Sequence, residues 1–476
     1  MTIASDLTLQ PAVAQAALLA KRKLSPVELV DAHLTQIARL NPRLNAIVTL
    51  VADQARATAK EIEVAIMRGD PGGPLRGLPV VIKDVTETAG IRTTYGCPLY
   101  RDNIPDQDAD VVARLRAAGA IILGKSNTPE FATGANTVNE VFGATRNPWN
   151  MQMSPAGSSG GSAVSVATGM SSLAHGTDFG CSIRMPAAFN GIVGLRTTPG
   201  LIPNDPMPLI MDGGQVHGPL ARTAEDAALM LDAMTGFTDA SPISIAPAWG
   251  SALTALRDMN DLSGLRIAFV RDIAAISVDD EIGRICATAA AALADAGAYV
   301  EETTLDLSEG REAYKILRGL WMIGQQRNRL HLVDRLGPNL AGNIRDGLAV
   351  TTRDIADAEN VRQQMWAKAR NCLRRYDVIV TPMSPVPPYP VTMNYPQLVG
   401  GRRLSNYIDW IAPAFLITML GLPAGSAPAG LTASGLPVGL QIIAPRLGEM
   451  QVLRVAKLLQ QLRPIGHPPS PKDVHL

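Results

Sequence analysis

Two serine-containing loops and one lysine carry the residue types best suited to covalent chemistry in this sequence. The first loop, S-P-A-G-S-S-G-G-S, covers Ser154–Ser162, and the second, G-T-D-F-G-C-S-I-R-M-P, covers Gly176–Pro186. Serine is a weak nucleophile unless a base lies beside it, and small neighbours let backbone N–H groups approach a developing oxyanion. Lys83, which ends an apolar run upstream of both loops, is a candidate base. The combination indicates acyl transfer through a serine.

The residues alone leave the role of Lys83 open. A lysine at the end of a buried strand can simply pair with a carboxylate, here Asp84. Alternatively, loss of hydration lowers its pKa far below the usual ~10.4, so that it acts as a neutral base. A histidine base is a third interpretation, because His175 and His217 lie near the second loop in sequence. Against it, the G-x-S-x-G elbow of many histidine-activated serines is absent around Ser182.

Both loops are flanked by groups that would hold them in place. A helix is predicted over Ala163–Met170, directly after the first loop. The serines of that loop would therefore lie near free N–H groups at the positive end of a helix dipole. In the second loop, Asp178 and Arg184 are expected to form a structural ion pair that fixes the loop conformation.

The bulk composition predicts a large folded core and excludes several classes of function. The chain has 476 residues, of which 46% are hydrophobic, and its formal net charge is zero. Nothing in that balance attracts it to nucleic acid or to an anionic membrane. Its four cysteines lack C-x-x-C spacing and it has no H-E-x-x-H motif, so neither a metal site nor a disulfide framework is expected. No apolar run reaches the ~18 residues of a membrane span. We therefore expect a cytoplasmic protein without metal or cofactor.

Short apolar strands and helices alternate along most of the chain. Two helices come first, a capped one from Ser25 to about Leu40 and another over Ala52–Met67. Strands are then predicted at Leu78–Ile82, Ala120–Leu123, Leu173–His175, Ile192–Arg196, Leu265–Val270, Tyr299–Leu305, Asp377–Thr381 and Val438–Ile443. All-apolar strands separated by helices are typical of a largely parallel sheet that is covered on both faces.

The order of these elements predicts one continuous domain with four sections. A helical N-terminal section (residues 1–68) precedes a core (69–305), a variable helical cap that contributes to the substrate region (306–415) and a return to the core (416–476). The cap contains several large side chains that suggest an apolar or aromatic pocket, namely Trp321, Met322, Tyr407 and Trp410. Residues of these types lie more often in a core.

The loops and their surroundings resemble the amidase signature family, whose members are hydrolases with a Ser–cis-Ser–Lys triad. The glycine-serine loop, the 24-residue spacing from Ser158 to Ser182 and the upstream lysine are together highly specific. The resemblance covers nearly the whole chain, through Gly77–Asp84, Leu123–Glu130, Phe142–Trp149, Gly157–Ser162, Gly176–Pro186, Phe189–Leu195 and Gly435–Gln441. It implies an α/β fold of the amidase-signature type, an α/β/α sandwich whose central sheet is mixed and largely parallel.

The resemblance also implies roles for residues that match the family motifs. Ser182 matches the nucleophile, Lys83 the base, and Ser158 the bridging serine, with a cis peptide bond expected at Gly157–Ser158. Further positions match the backbone donors of an oxyanion hole (Phe179, Gly180, Cys181 and Ser182), substrate contacts (Ala132 and Thr133) and supporting residues (Asp178 and Arg184).

One residue departs from the family pattern. Cys181 stands where a second glycine is usual, so it adds bulk beside Ser182 if its φ suits a non-glycine residue. We expect this change to affect the substrate range rather than catalysis. Cys181 is not expected to be the nucleophile, because that family position matches Ser182.

The resemblance implies hydrolysis of the C–N bond of carboxylic amides, extending to esters or carbamates, through a covalent acyl-enzyme. The expected partners are a small-molecule amide and water, with a homodimer as a possible assembly. Two alternatives remain within the family: the A subunit of a glutamine-dependent tRNA amidotransferase, and a catalytically silent ligand-binding member. The second is disfavoured because all three triad positions are filled.

Overall fold

The computed structural model describes residues 7–207 and 209–469. Within these ranges the helices are α1 (Ala12–Ala20), α2 (Pro26–Leu44), α3 (Ala52–Arg68), α4 (Asp110–Ala117), α5 (Gly160–Ala167), α6 (Arg184–Asn190), α7 (Ala224–Met234), α8 (Ala252–Asp258), α9 (Asp280–Ala292), α10 (Gly310–Gln326), α11 (Pro338–Ala349), α12 (Thr352–Leu373), α13 (Ala412–Met419) and α14 (Glu449–Leu462). Short 3₁₀ turns lie at Pro98–Tyr100, Glu130–Ala132, Leu293–Ala296, Leu330–Arg335 and Asp409–Ile411. None of the helices in the described ranges is long and apolar enough to span a lipid bilayer.

The strands form one large sheet and two short ribbons. They are β1 (Ile47–Leu50), β2 (Pro79–Lys83), β3 (Ile121–Ser126), β4 (Val138–Asn139), β5 (Gly143–Ala144), β6 (Leu173–Asp178), β7 (Val193–Arg196), β8 (Val216–Ala221), β9 (Arg266–Phe269), β10 (Tyr299–Glu302), β11 (Val378–Pro382), β12 (Leu398–Val399), β13 (Arg402–Arg403), β14 (Ala424–Leu431) and β15 (Pro437–Ile443). The 11-stranded sheet has the order β1-β3-β2-β6-β8-β7-β14-β15-β11-β9-β10. Strands β4 with β5, and β12 with β13, form the ribbons.

The sheet is buried between two layers of helices. Along β2, Val80 and Ile82 contact a core shared with α1, α4 and α7, whereas Val81 contacts a core shared with α2 and α5. Successive side chains of a strand point to opposite faces, so helices cover both faces of the sheet here. This arrangement confirms the α/β/α class. It also explains why β2 is apolar throughout rather than alternating.

The expectation of a largely parallel sheet is wrong, although the mixed character is confirmed. Parallel pairing joins β3 with β2, β2 with β6, β11 with β9 and β9 with β10. The other six neighbouring pairs in the sheet are antiparallel. Burial on both faces makes a strand apolar whichever way its neighbours run, so composition alone did not determine direction.

All eight predicted strands overlap strands of the large sheet, whose other three strands, β1, β8 and β14, were not predicted. These three take part in five of the six antiparallel pairs. The sequences of β8 (V-H-G-P-L-A) and β14 (A-G-S-A-P-A-G-L) contain glycine and proline, which locally favour turns. Pairing on both edges and burial of nearly every residue make them strands.

Candidate active site

Lys83 lies where two parallel strands end beside each other. It is the last residue of β2 and is fully buried. Its Nζ lies 2.6 Å from Ser158 Oγ and 2.8 Å from Thr177 Oγ1. Thr177 belongs to β6, the parallel neighbour of β2. The sheet therefore places the lysine beside the Thr177 hydroxyl, and the first serine loop brings the Ser158 hydroxyl to it.

The environment of Lys83 favours its neutral form. Burial lowers the pKa of Lys83 from 10.5 to about 7, because desolvation outweighs the opposing charge of Asp178. The alternative pairing with Asp84 is wrong, since that carboxylate accepts hydrogen bonds from the backbone N–H and the hydroxyl of Thr94. In the described chain, the hydrogen-bond partners of Lys83 are hydroxyl groups rather than carboxylates.

The first serine loop leads directly into a helix. The peptide bond between Gly157 and Ser158 is cis, as the family resemblance implies, and α5 begins two residues after Ser158. Glycine is required at Gly161, where a Cβ atom would lie 2.4 Å from the backbone nitrogen of Asn127. The glycines of this loop therefore allow α5 to pack against the neighbouring backbone.

The second loop is held by a buried ion pair. Arg184 Nη2 lies 2.8 Å from Asp178 Oδ1, and both side chains are inaccessible to solvent, which confirms the predicted pair. Burial alone would raise the pKa of Asp178, but the charge and hydrogen bonds of Arg184 and the charge of Arg196 lower it to about 2. Asp178 also accepts a hydrogen bond from the backbone N–H of Ile183. The carboxylate thus links both ends of the loop that contains Ser182.

Two arginines orient the peptide groups of this loop. Arg196 donates to the carbonyl oxygen of Asp178 at 2.8 Å, and Arg184 donates to that of Gly180 at 3.0 Å. Because C=O and N–H point in opposite directions across a trans peptide, the N–H groups of Phe179 and Cys181 face away from the arginines. In the described chain, no backbone carbonyl accepts a hydrogen bond from the N–H groups of residues 179–182. These donors are available to a ligand.

The two loops meet at a small enclosed cavity. The backbone N–H of Ser159 donates to the carbonyl oxygen of Ser182 at 3.1 Å, which ties the loops together. The cavity has a volume of about 30 Å³ and is lined by Ala132, Thr133, Gly134, Ser158, Thr177, Phe179, Gly180, Cys181, Ser182, Gln215, Arg318, Trp321, Tyr407 and Ile411. The structure thus brings together the serines, the residues of the loop and the two positions matched to substrate contacts. Asp178 and Arg184 lie behind the cavity wall.

A wider cleft adjoins this cavity. Its volume is about 320 Å³, and it shares Ala132, Thr177, Gln215 and Trp321 with the smaller cavity. One wall is the turn at Phe131 and Ala132, which adopt left-handed φ values of 44° and 57°. Non-glycine residues in this region are uncommon and often occur at functional sites.

The structure corrects and extends the set of residues chosen from the sequence. Of the four large residues in the cap, Trp321 and Tyr407 line the cavity, whereas Met322 and Trp410 are buried in the core. Sequence reasoning missed Thr177, Gln215 and Arg318, which also line it. For Arg318 a signal existed. Tyr314, Arg318 and Trp321 are spaced i, i+4, i+7 along α10, so they share one face of the helix. A charged residue on an otherwise aromatic, buried face is unusual and indicates a special role.

The histidines pair with each other rather than with a serine. His175 Nε2 lies 2.8 Å from His217 Nδ1. Burial and the charge of Lys83 lower the pKa of His217 to about 3. In the described chain neither histidine forms a hydrogen bond with Ser158 or Ser182, so the geometry does not support a histidine base.

Cys181 fits the loop without a left-handed backbone. Its φ lies outside the left-handed region, and its Sγ donates a hydrogen bond of 3.5 Å to the carbonyl oxygen of Gly157. Burial raises the pKa of the Cys181 thiol to about 12. The thiol therefore stays protonated near neutral pH and is a poor nucleophile.

Comparison with known proteins shows the family and agrees with this fold. The family model described as Amidase matches residues 28–453. The chain belongs to the amidase signature family. It is therefore an amidase, a hydrolase of amide bonds. An acylamidase from Rhodococcus erythropolis is 36% identical over 462 residues, which cover 95% of each chain. The A subunit of the glutamyl-tRNA(Gln) amidotransferase of Geobacillus stearothermophilus is 34% identical over 476 residues, covering 93% of this chain and 95% of that subunit.

Solved structures resemble this amidase over almost its full length. A bacterial aryl acylamidase of the amidase signature family has a TM-score of 0.89 and 26% identity, covering 95% of this chain and 96% of that one. The 6-aminohexanoate cyclic dimer hydrolase, solved with its substrate, has a TM-score of 0.86 and 27% identity, covering 97% and 99%.

Proposed function

We propose that this amidase hydrolyses carboxylic amides through an acyl-enzyme, with Ser182 as nucleophile, Ser158 as proton relay and Lys83 as base. The observation that carries the proposal is the 2.6 Å contact between Lys83 Nζ and Ser158 Oγ, in the wall of the cavity that also contains Ser182. A lysine with a pKa of about 7 is substantially neutral near physiological pH and can accept the proton.

The first step is the attack of Ser182 on the substrate carbonyl. Lys83 takes a proton from Ser158 while Ser158 takes one from Ser182, so that Ser182 Oγ bonds to the acyl carbon as the C–N bond weakens. Backbone N–H groups of residues 179–182 stabilise the oxyanion. The orientation of the Phe179 and Cys181 N–H groups by Arg196 and Arg184 supports this assignment. The loss of one such donor typically costs about 10²–10³ in rate.

The second step returns the enzyme to its starting state. Ser158 passes its proton to the departing amine and regains one from protonated Lys83, which becomes neutral again. A water molecule, deprotonated through Ser158 and Lys83, then attacks the ester between Ser182 and the acyl group, and Ser182 leaves with the returned proton. The wider cleft of about 320 Å³ provides a route for amine and water. Esters and carbamates, which have the same reacting carbonyl, are further candidate substrates. The cap section, residues 306–415, contributes Arg318, Trp321 and Tyr407 to the cavity, which supports its proposed part in substrate binding.

A fluorophosphonate probe tests the assignment of the nucleophile. We expect covalent labelling of Ser182, found by peptide mass spectrometry, and loss of both labelling and amide hydrolysis in Ser182→Ala. Cys181→Ala, which alters the adjacent residue, is the matched control and should remain labelled. Labelling at another serine, or full activity of Ser182→Ala, would refute the assignment.

A second candidate function is that of an amidotransferase A subunit. It is favoured by the 34% identity to the glutamyl-tRNA(Gln) amidotransferase subunit of Geobacillus stearothermophilus. The same three residues would then hydrolyse glutamine to release ammonia for partner subunits. The acylamidase relative has the higher identity, 36%, and we propose the independent hydrolase first.

A further inference from the structure

A buried arginine without a carboxylate partner lies beside the proposed nucleophile. Arg318, on α10, is 8% exposed and lines the small cavity together with Ser182 and the loop of residues 179–182. Its Nε donates to Asn343 Oδ1 at 2.8 Å, Nη2 to Tyr407 Oη at 2.9 Å and Nη1 to Tyr314 Oη at 3.3 Å. All three partners are neutral side chains.

The cluster around Arg318 presents a surplus of hydrogen-bond donors. A guanidinium carries five N–H groups, and the three hydrogen bonds leave two of them without an acceptor in the described chain. Tyr407 Oη already accepts from both Arg318 and Asn343 Nδ2. Its own O–H is then free to donate, and Tyr407 also lines the cavity. These free N–H and O–H groups suit a ligand that accepts hydrogen bonds rather than one that donates them.

The charge of Arg318 points to an anionic ligand. None of the residues found to line the small cavity is acidic, and none of the ion pairs within the described ranges includes Arg318. The buried Asp178 is already shared by Arg184 and Arg196. A buried charge is costly unless an opposite charge pairs with it, and a substrate carboxylate would supply that charge.

The surroundings hold Arg318 in one position. Its guanidinium carbon lies 5.7 Å from the centre of the Phe179 ring and 5.9 Å from that of Tyr407, and Phe179 itself stacks on Trp321 at 4.1 Å. Aromatic faces and three hydrogen bonds thus fix the planar group before substrate arrives. Preorganisation of this kind reduces the entropy lost on binding.

We propose that Arg318, with Tyr407, binds a carboxylate at the far end of a short acyl group, so that the substrates are monoamides of short dicarboxylic acids. The inference rests on the proposed function, because it places the acyl group on Ser182. The cavity is small, about 30 Å³, which favours a short acyl group over a long one. The amine side of the substrate then extends into the wider cleft.

The reaction balances as an ordinary amide hydrolysis. Ser182 Oγ forms an ester with the acyl carbon as the C–N bond breaks, and the amine leaves with the proton from Ser158. Water cleaves the ester and releases a dicarboxylic acid, which restores Ser182. The distal carboxylate stays ionised and bound to Arg318 in both steps.

Paired substrates test this assignment. We expect wild-type kcat/KM for the mono-para-nitroanilide of succinic acid to exceed that for the para-nitroanilide of butyric acid by about 10- to 100-fold, the range of a hydrogen-bonded charge. The ratio should fall close to unity in Arg318→Gln and stay intermediate in Arg318→Lys. Arg345→Gln, at an exposed ion pair on α11, is the matched control and should keep the wild-type ratio.

Binding without turnover provides an independent measurement. In Ser182→Ala, succinate should raise the melting temperature while butyrate does not, and the additional substitution Arg318→Gln should abolish the difference. Where Arg318→Gln fails to fold, Tyr407→Phe serves instead and should lower the kcat/KM ratio. The absence of a wild-type preference for the succinic compound, or equal losses for both substrates in Arg318→Gln, overturns the proposal. Neither result affects fluorophosphonate labelling of Ser182, which tests the proposed function separately.

Discussion

At the level of single residues, the mechanism we propose depends on the hydration of one amine. Lys83 is fully buried and contacts hydroxyl groups rather than a carboxylate, so little stabilises its charged form. Burial therefore lowers its pKa to about 7, whereas an exposed lysine would be charged at that pH. The same group can thus accept a proton from Ser158 near neutral pH.

The lowered pKa of Lys83 predicts a rising pH–rate profile. Below about pH 7 the amine is protonated and cannot accept a proton, so kcat/KM should increase with pH through an apparent pKa near 7 and then level off. Lys83→Ala should lower kcat/KM by about 10²–10⁴ and remove this limb. The profile is measured with a para-nitroanilide substrate and with the rate of fluorophosphonate labelling. Near-full activity of Lys83→Ala would contradict the role of the lysine.

At the level of elements, the loop between β6 and α6 depends on a buried charge cluster. Arg184 holds both the Asp178 carboxylate and the Gly180 carbonyl, and it also donates to Ala414 and Gln441. The last two contacts join the loop to α13 and β15. The conformation of a short catalytic loop is thus determined by segments more than 200 residues away in the sequence.

Removal of Arg184 should therefore affect both stability and rate. In Arg184→Met, the 3.6 Å contact with Arg196 is the remaining ion pair of Asp178, beside the hydrogen bond from the backbone N–H of Ile183. Breaking a buried ion pair by removing one partner typically costs about 3–5 kcal/mol, which urea denaturation would detect. We also expect kcat to fall more than KM rises, because the Gly180 carbonyl is released. As a control, Arg345→Met removes an exposed ion pair and should leave both properties nearly unchanged. An unaltered urea midpoint in Arg184→Met would show that the pair is dispensable.

At the level of the whole molecule, the relatives include both acylamidases and amidotransferase subunits. An acylamidase and an amidotransferase subunit cover 95% and 93% of this chain, respectively. The overall fold therefore does not distinguish the two functions.

An activity assay of the purified chain, without partner subunits, distinguishes these two functions. We expect the chain to hydrolyse simple aryl and alkyl amides without partner subunits, because the proposed base, relay and nucleophile all come from this chain. Product release by the isolated chain is measured with a panel of amide, ester and carbamate substrates, and Ser182→Ala serves as the blank. Glutamine hydrolysis that appears only after addition of amidotransferase partner subunits would favour the second candidate.

Local residue patterns were sufficient to predict the α/β class and the strands beside the site, whereas the proposed roles of Lys83, Ser158 and Ser182 came from the family resemblance. Both rest on short-range signals: Lys83 ends an apolar strand, and the serines lie in glycine-containing loops whose sequence is highly specific. The 24-residue spacing of Ser158 and Ser182 completes the family motif. These features depend on neighbouring residues, which a sequence contains directly.

Only the tertiary structure decided the features that arise from distant contacts. The local sequences of β8 and β14 favour turns, and these segments are strands because they pair on both edges and are buried. Since both form antiparallel pairs, leaving them out made the expected sheet more parallel than the observed one. Arg318 lies near Ser182 because α10 packs over the second loop. The residues around Arg318 in the sequence do not indicate that it has no carboxylate partner in the folded protein. The pKa of Lys83 likewise follows from burial by several separate segments. Desolvation and charge pairing depend on three-dimensional neighbours, so no local pattern specifies them.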